Sequence, residues 1–200
     1  MSRPGTFERV YAALKERLRR GELRPGERLE PAALSDELNA SVTPVRDALH
    51  RLTGERLVEA PRHEGFRASV VTESMLRHLY QWHLDILFVA IARQQSAVFE
   101  NERPASNDRA HERLNALFAG LAARSGNPEH SAALRNLTER LGPYQRIEDE
   151  LLDALEEESE SIADAIRAWD RIALRKSLVR YHRRRERIVP ELLDRIHRNG

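Results

Sequence analysis

The stretch Ser41-Val42-Thr43-Pro44-Val45-Arg46-Asp47-Ala48-Leu49-His50-Arg51-Leu52 decides the fold of the first third of the chain. Serine is a residue type that caps helix starts, Pro44 falls in a first turn where its missing N–H is harmless, and Val45, Ala48, Leu49 and Leu52 share one helical face. Just upstream, residues 31–38 read as a short helix with Pro31 in its first turn and Ala33, Leu34 and Leu38 on its apolar side. Asn39-Ala40 is the turn between them, and the spacing is that of a helix-turn-helix. Further upstream, Phe7, Val10, Tyr11, Leu14 and Leu18 mark residues 6–20 as an amphipathic helix, with Thr6 as its cap and Gly21 as its stop. Residues 22–29 carry a Pro25-Gly26 turn and an extended exit towards Leu29, a connector rather than a helix.

Downstream, Leu57-Val58 and Phe66-Arg67-Ala68 read as two short strands joined by a hairpin with Gly65 near its tip. Three helices followed by a small hairpin make a winged helix-turn-helix. In that arrangement the third helix enters the major groove of DNA, and the wing touches the backbone or the minor groove beside it.

The residues that carry these elements also carry a resemblance. Val10-Tyr11 to Leu18, Gly21-Glu22-Leu23-Arg24-Pro25-Gly26-Glu27-Arg28-Leu29, Leu34 to Leu38, Ser41 to Leu49 and Leu57-Val58 resemble the DNA-binding domain of the GntR superfamily of bacterial transcription regulators, over residues 6–70. The resemblance implies a homodimer on a pseudo-palindromic operator, with a metabolite in the C-terminal domain altering its grip. It places Ser41, Thr43 and Arg46 at the base- and phosphate-contacting start of the recognition helix, adds Arg51 to the DNA-facing set, and puts Arg62, His63 and Gly65 on the wing. A guanidinium at Arg46 can pair bidentately with guanine or hold a phosphate. Members typically carry an arginine between the equivalents of Ser41 and Thr43, and another just before that of Ala33. Val42 and Ala32 stand there in this chain, so the usual target sequence does not carry over. Glu64 sets an opposing charge on the wing.

From residue 71 onward the readable segments are helical. Residues 72–91 form a core helix, 100–107 a polar loop, and 108–124 and 129–141 two further helices; 143–158 and 159–167 make one or two more. A last helix covers 170–197, with Pro190 expected to kink or split it. The runs Leu121 to Pro128 and Ala163 to Ile166 with His182 resemble the all-helical ligand domain called FCD, over residues 72–190. That resemblance implies one Asp and three His holding a divalent metal and, through it, a carboxylate effector. Ungapped matching puts Leu114 in place of the Asp, Phe118 in place of the first His and Ser159 in place of the second, and leaves His182 as the survivor. A gapped alternative lets His111 stand for the first His, with Asn107 or Asp108 one turn earlier. The expectation is a degenerate site without metal or other cofactor, and a candidate effector pocket of His83, His111, Leu114, Phe118, Ser159 and His182.

Composition bounds the rest. The chain has 200 residues, 33 Lys+Arg against 32 Asp+Glu, 40% hydrophobic residues and no Cys, which excludes collagen-like, low-complexity and disulfide-scaffold classes. This length suits two domains, 1–70 and 71–200, in a mainly α architecture. The most apolar stretch, 84–92, is interrupted by Asp85 and is about half the roughly 20 residues a membrane helix needs, so a soluble, cytoplasmic chain without membrane contact is expected. Residues 146–164 hold nine acidic residues against one basic, and 167–198 eleven basic against four acidic. Two helices with complementary faces explain that pattern; the alternative is an extra nucleic-acid or anionic-ligand patch of Arg183, Arg184, Arg185 and Arg187. Nucleophile elbow, phosphate-cradling Gly loop and paired metalloprotease histidines are absent from the sequence, which argues against an enzyme. The expected function is a GntR-type, DNA-binding transcription regulator, a homodimer answering to a small-molecule effector. The alternative is a DNA-binding protein whose helical domain serves only dimerisation or protein interaction.

Overall fold

The computed structural model describes residues 5–94 and 109–198, apart from the side chain of His197. The expected loop 100–107 and the helix start at Asp108 lie outside the described residues. Two compact units are distinguished: Met1–Val71 with Glu139–Tyr144, and Thr72–Thr138 with Gln145–Asn199.

In the first unit the order is α1 (Thr6–Arg19), β1 (Arg28–Leu29), α2 (Pro31–Glu37), α3 (Val42–Gly54), β2 (Val58–Glu59) and β3 (Phe66–Ala68). Thr6 is the first helical residue rather than the cap; Gly5 takes the cap position, and neither it nor Ser41 makes a side-chain cap bond. The apolar positions read from the sequence form the core: Val10, Leu14 and Leu18 of α1 meet Val45, Leu49 and Leu52 of α3, each at most 3% exposed. Burying such a side chain contributes about 1.5–3 kcal/mol, so this interface dominates the stability of the unit. The wing hairpin gains a third strand that the sequence shows only as an extended exit. β3 is central, pairing antiparallel with β1 (Leu29 opposite Phe66) and with β2 (Val58 opposite Ala68). Gly65 turns the hairpin with φ +79°, a left-handed conformation that a glycine adopts without steric penalty.

The second unit is all helical among its described residues: α4 (Glu73–Arg93), α5 (Ala110–Ala123), α6 (Pro128–Leu151), α7 (Leu155–Arg167) and α8 (Arg171–Arg198). Thr72 caps α4, its Oγ1 accepting from Met75 N at 3.3 Å, and Asp170 accepts from Ile172 N and Ala173 N at the start of α8. α8 packs on α4 and α7, and α5 on α4 and α7.

Two expected helix breaks do not occur. α6 runs through Pro143, where a break at Gly142-Pro143 was expected, and the chain turns instead at Ala154, whose φ is +49°. α8 is one helix through Pro190. A proline inside a helix orphans the carbonyl four residues earlier. For Pro190 that carbonyl belongs to Glu186, and Nη1 of Arg77 on α4 donates to it at 2.7 Å. The guanidinium supplies the hydrogen bond that the proline cannot.

Replacing Arg77 with Met should therefore destabilise the helical unit by about 1–2 kcal/mol, the cost of an unsatisfied acceptor. In a Pro190→Ala background, where residue 190 regains its N–H, the same replacement should cost less than half as much. Both tryptophans, Trp82 and Trp169, lie in this unit, so urea unfolding followed by their fluorescence reads it alone. Equal costs in the two backgrounds would refute the proline-rescue account.

Candidate nucleic-acid interface and the polar core of the helical unit

The α2–α3 turn is held by a residue the sequence did not single out. Arg9 of α1 donates from Nη1 to the Leu38 carbonyl at 2.8 Å and from Nη2 to the Asn39 carbonyl at 3.1 Å, satisfying carbonyls at the end of α2. At the other end of α3, Glu55 accepts from the Tyr11 hydroxyl at 2.5 Å and from Lys15 Nζ at 2.8 Å. Burial works against the Glu55 charge, but Lys15 and Tyr11 outweigh it and hold the carboxyl below its usual value. α3 is thus fixed at both ends against α1.

What α3 leaves outside is its N-terminal face. Ser41, Val42, Thr43, Arg46 and Asp47 are all exposed, and Arg46 has no ion pair among the described residues. Val42 and Ala32, at the two positions where an arginine is usual, both lie on the surface. His50 packs edge-on against Phe66, ring centroids 4.9 Å apart, which couples α3 to the wing. On the wing, Arg62, His63 and Gly65 are exposed, and the opposing charge of Glu64 is taken up by Arg67 at 2.9 Å. Arg51 behaves differently from the rest of the expected set. Its guanidinium lies 4.2 Å from the Tyr11 ring and 3.5 Å from Glu55, so it takes part in the α1–α3 contact although its side chain stays exposed.

Set against known proteins, the model for bacterial regulatory proteins of the gntR family matches residues 6–67. Over these residues the chain resembles the DNA-binding part of GntR-family regulators. Two similar proteins agree with that match. The Nta operon transcriptional regulator of Aminobacter aminovorans is 41% identical over 58 residues, 29% of this chain and 28% of that protein. The HTH-type transcriptional repressor GlaR of Escherichia coli K12 is 30% identical over 84 residues, 41% of this chain and 38% of that protein. The matches thus span well under half the length of either relative. Solved structures extend the fold to nearly the whole chain. A transcriptional regulator GntR from Rhodococcus sp. RHA1 superposes with a TM-score of 0.78 at 20% identity, covering 94% of this chain and 99% of that one. E. coli McbR/YncC does so with a TM-score of 0.67 at 24% identity, covering 94% and 99%. The winged domain that matches the gntR family model is followed by a helical unit, and the fold of the two is seen in both of these solved structures.

Inside that helical unit the residues do not fit a metal held by one Asp and three His. Leu114 and Phe118 carry no donor atom, and His182 has both ring nitrogens engaged. His182 Nδ1 lies 2.7 Å from the Leu178 carbonyl, so it carries the proton and donates; its Nε2 then accepts from His83 Nδ1 at 2.9 Å. Among the described residues no group of three or more His, Asp or Glu converges as a metal site. Asn107 and Asp108, the companions of His111 in the gapped alternative, lie outside the described residues; His111 itself pairs with Asp149 at 2.7 Å. Of the candidate effector-pocket residues, His83, Phe118 and His182 are brought together, and with Tyr181 their rings close a cycle of contacts at 4.9–5.5 Å. Leu114 and Ser159 are buried without a polar partner in that cycle.

Beside the rings lies a buried charge cluster that links four helices. Arg185 of α8 donates from Nε to Glu148 of α6 and from Nη1 to Glu158 of α7, both at 2.9 Å, and its guanidinium stacks 3.4 Å from the Tyr181 ring. The Tyr80 hydroxyl of α4 donates to the other oxygen of Glu148. Arg184 donates to Glu158 at 3.0 Å and to Asp153 at 2.8 Å. The acidic and basic halves of the last third do pack with complementary charge, but only Arg184 and Arg185 of the four-arginine run take part.

The histidine pair sets a pH dependence. Burial, aided by the positive charge of Arg185, pushes His83 down to about 3, and burial together with His83 lowers His182. Between about pH 6.5 and 3 the unfolded chain binds protons that the folded chain refuses, so stability is full above pH 6.5 and falls as the pH drops through this window. Each histidine contributes up to about 1.4 kcal/mol per pH unit there. Replacing His83 with Asn, whose amide can still donate to His182, should make the decline of urea stability between pH 7 and 5 shallower by about one proton's share. An unchanged slope would show that His83 is not held neutral.

Proposed function

We propose that this chain is a GntR-type transcription regulator that binds an operator in double-stranded DNA as a homodimer in the cytoplasm, and that it is not an enzyme. The observation that carries the reading is the exposed start of α3, with Ser41, Thr43 and unpaired Arg46 on a helix fixed at both ends against α1. The wing residues Arg62, His63 and Gly65 supply the adjoining backbone or minor-groove contact. Arg51 is left out of the DNA-facing set because its charge is spent on Tyr11 and Glu55. The two relatives named above are both transcriptional regulators, in keeping with a binding rather than a catalytic role.

The homodimer is supported by α4. Met75, Trp82 and Val89 recur every seven residues and are 44%, 49% and 41% exposed, an apolar seam of the kind that packs against its own copy. Two-fold symmetry then calls for an inverted-repeat operator with half-sites about 34 Å apart or a multiple of that distance. The domain roles that follow are DNA reading for 1–70 and dimerisation, with effector response, for 71–200. The alternative, dimerisation without an effector, draws support from the packed rings of His83, Phe118, Tyr181 and His182, two of which, Phe118 and His182, stand at positions where the resemblance to FCD domains puts metal ligands.

Arg46→Ala should lower affinity for the selected operator by about 1–3 kcal/mol at matched salt, with thermal unfolding and dimer mass unchanged. Fluorescence anisotropy with a labelled duplex checks it, and undiminished affinity would remove Arg46 from the recognition surface. Trp82→Asp should shift the sedimentation mass from dimer to monomer; a dimer that persists would place the two-fold interface elsewhere.

A further inference from the structure

The four-arginine run near the C-terminus divides into two pairs with different fates. Arg184 and Arg185 are neutralised by Asp153, Glu148 and Glu158, whereas Arg183 and Arg187 are exposed and have no ion pair among the described residues. They continue a longer row. Lys176, Arg180, Arg183 and Arg187 follow one another at helical spacing along one side of α8, a span of about 16 Å. Arg175 stands beside the row with its guanidinium 4.0 Å from the ring of Phe88 on α4. Together with Arg184 these side chains line an open groove of about 600 Å³ whose apolar elements are Phe88 and Val179, and among the described residues no carboxylate lines it.

Like charges at this spacing destabilise the helix that carries them, so the row works against folding unless something anionic offsets it. Among the described residues no acid of α7 forms an ion pair with the row: Glu156 pairs with Arg113, Glu158 with Arg184 and Arg185, and Asp164 with Arg167. The groove is of the size of small-molecule sites, which run from roughly 300 to 1,000 Å³. Guanidinium groups bind phosphate oxygens bidentately, and a row of this length matches several phosphates in a chain better than one carboxylate.

We infer that the groove between α4 and α8 binds a small polyphosphate anion, its phosphates along Lys176, Arg180, Arg183 and Arg187 and any organic body against Phe88 and Val179. The site is separate from the winged domain and from the packed rings inside the helical unit, and it does not depend on what the winged domain reads.

Isothermal titration of the full chain with inorganic tripolyphosphate and with ATP tests it. Saturable binding of about one anion per chain is expected, with Kd raised at least tenfold in Arg180→Ala/Arg183→Ala/Arg187→Ala and unchanged in Arg135→Ala, an exposed cation outside the groove. The triple variant removes only exposed, mutually repelling charges from α8, so circular dichroism should show it folded and at least as stable as the unaltered chain. Equal affinity for the two probes means that the phosphate chain alone is recognised. Tighter ATP binding that Phe88→Ala abolishes means that the groove also holds a nucleoside. No saturable binding of either probe, or binding indifferent to the triple substitution, overturns the proposal. So does a triple variant that loses only affinity for random-sequence duplex DNA, which would make the row a nucleic-acid contact instead.

Discussion

The packing of α3 on α1 is the contact on which the winged unit depends. Val45, Leu49 and Leu52 have no other place to bury, and once they meet Val10, Leu14 and Leu18 the opposite side of α3 must face solvent. Apolar burial gives this contact its strength, and polar groups give it its angle. Arg9 at the α2–α3 turn and Glu55 at the far end contribute on the order of 1 kcal/mol each, far less than the core, but a hydrogen bond fixes direction in a way that aliphatic packing does not. The β3 strand then carries the wing to the side of α3 through the His50–Phe66 contact. An exposed arginine at the start of α3 gains recognition value only because the helix beneath it cannot rotate.

The helical unit solves a different problem. Its resemblance to a metal-binding bundle leaves Leu114, Phe118 and Ser159 where ligands would stand, and the interior is closed by aromatic rings and by one buried cation. Arg185, 1% exposed, ties α6, α7 and α8 together, and Tyr80 joins α4 to the same carboxylate. Removing one partner from such a buried pair typically costs about 3–5 kcal/mol, since the other charge is stranded. A fixed guanidinium thus cross-links helices in the interior, and the charge left over from the same arginine-rich helix is displayed outside.

Local periodicity made much of this legible in the sequence. The apolar positions of α1 to α3, the wing glycine and the start of α4 near Thr72 follow from spacing and residue type within a few positions, and these place the exposed face of α3. What the sequence hid depends on partners far away in the chain. Pro190 reads as a break because nothing nearby can serve the Glu186 carbonyl; the donor is Arg77, more than 100 residues earlier. β1 is two residues long, too short for any alternation to show, and exists because β3 offers it a ladder. Arg51 looks like Arg46 in sequence, yet it contacts Tyr11 and Glu55, partners that no local spacing shows. His83 and His182 pair across 99 residues, and no spacing rule could join them.

Hydrogen–deuterium exchange of the full chain, with and without duplex DNA carrying its selected operator, shows which helix meets DNA. Slowed exchange is expected in two stretches of the winged unit alone, 41–50 at the start of α3 and 60–67 in the wing, with the amides of α1 beneath them already protected in the free protein. Slowed exchange along 175–187 with no change at 41–50 would contradict this, because the helix pinned by Arg9 and Glu55 would then not be the one that meets DNA.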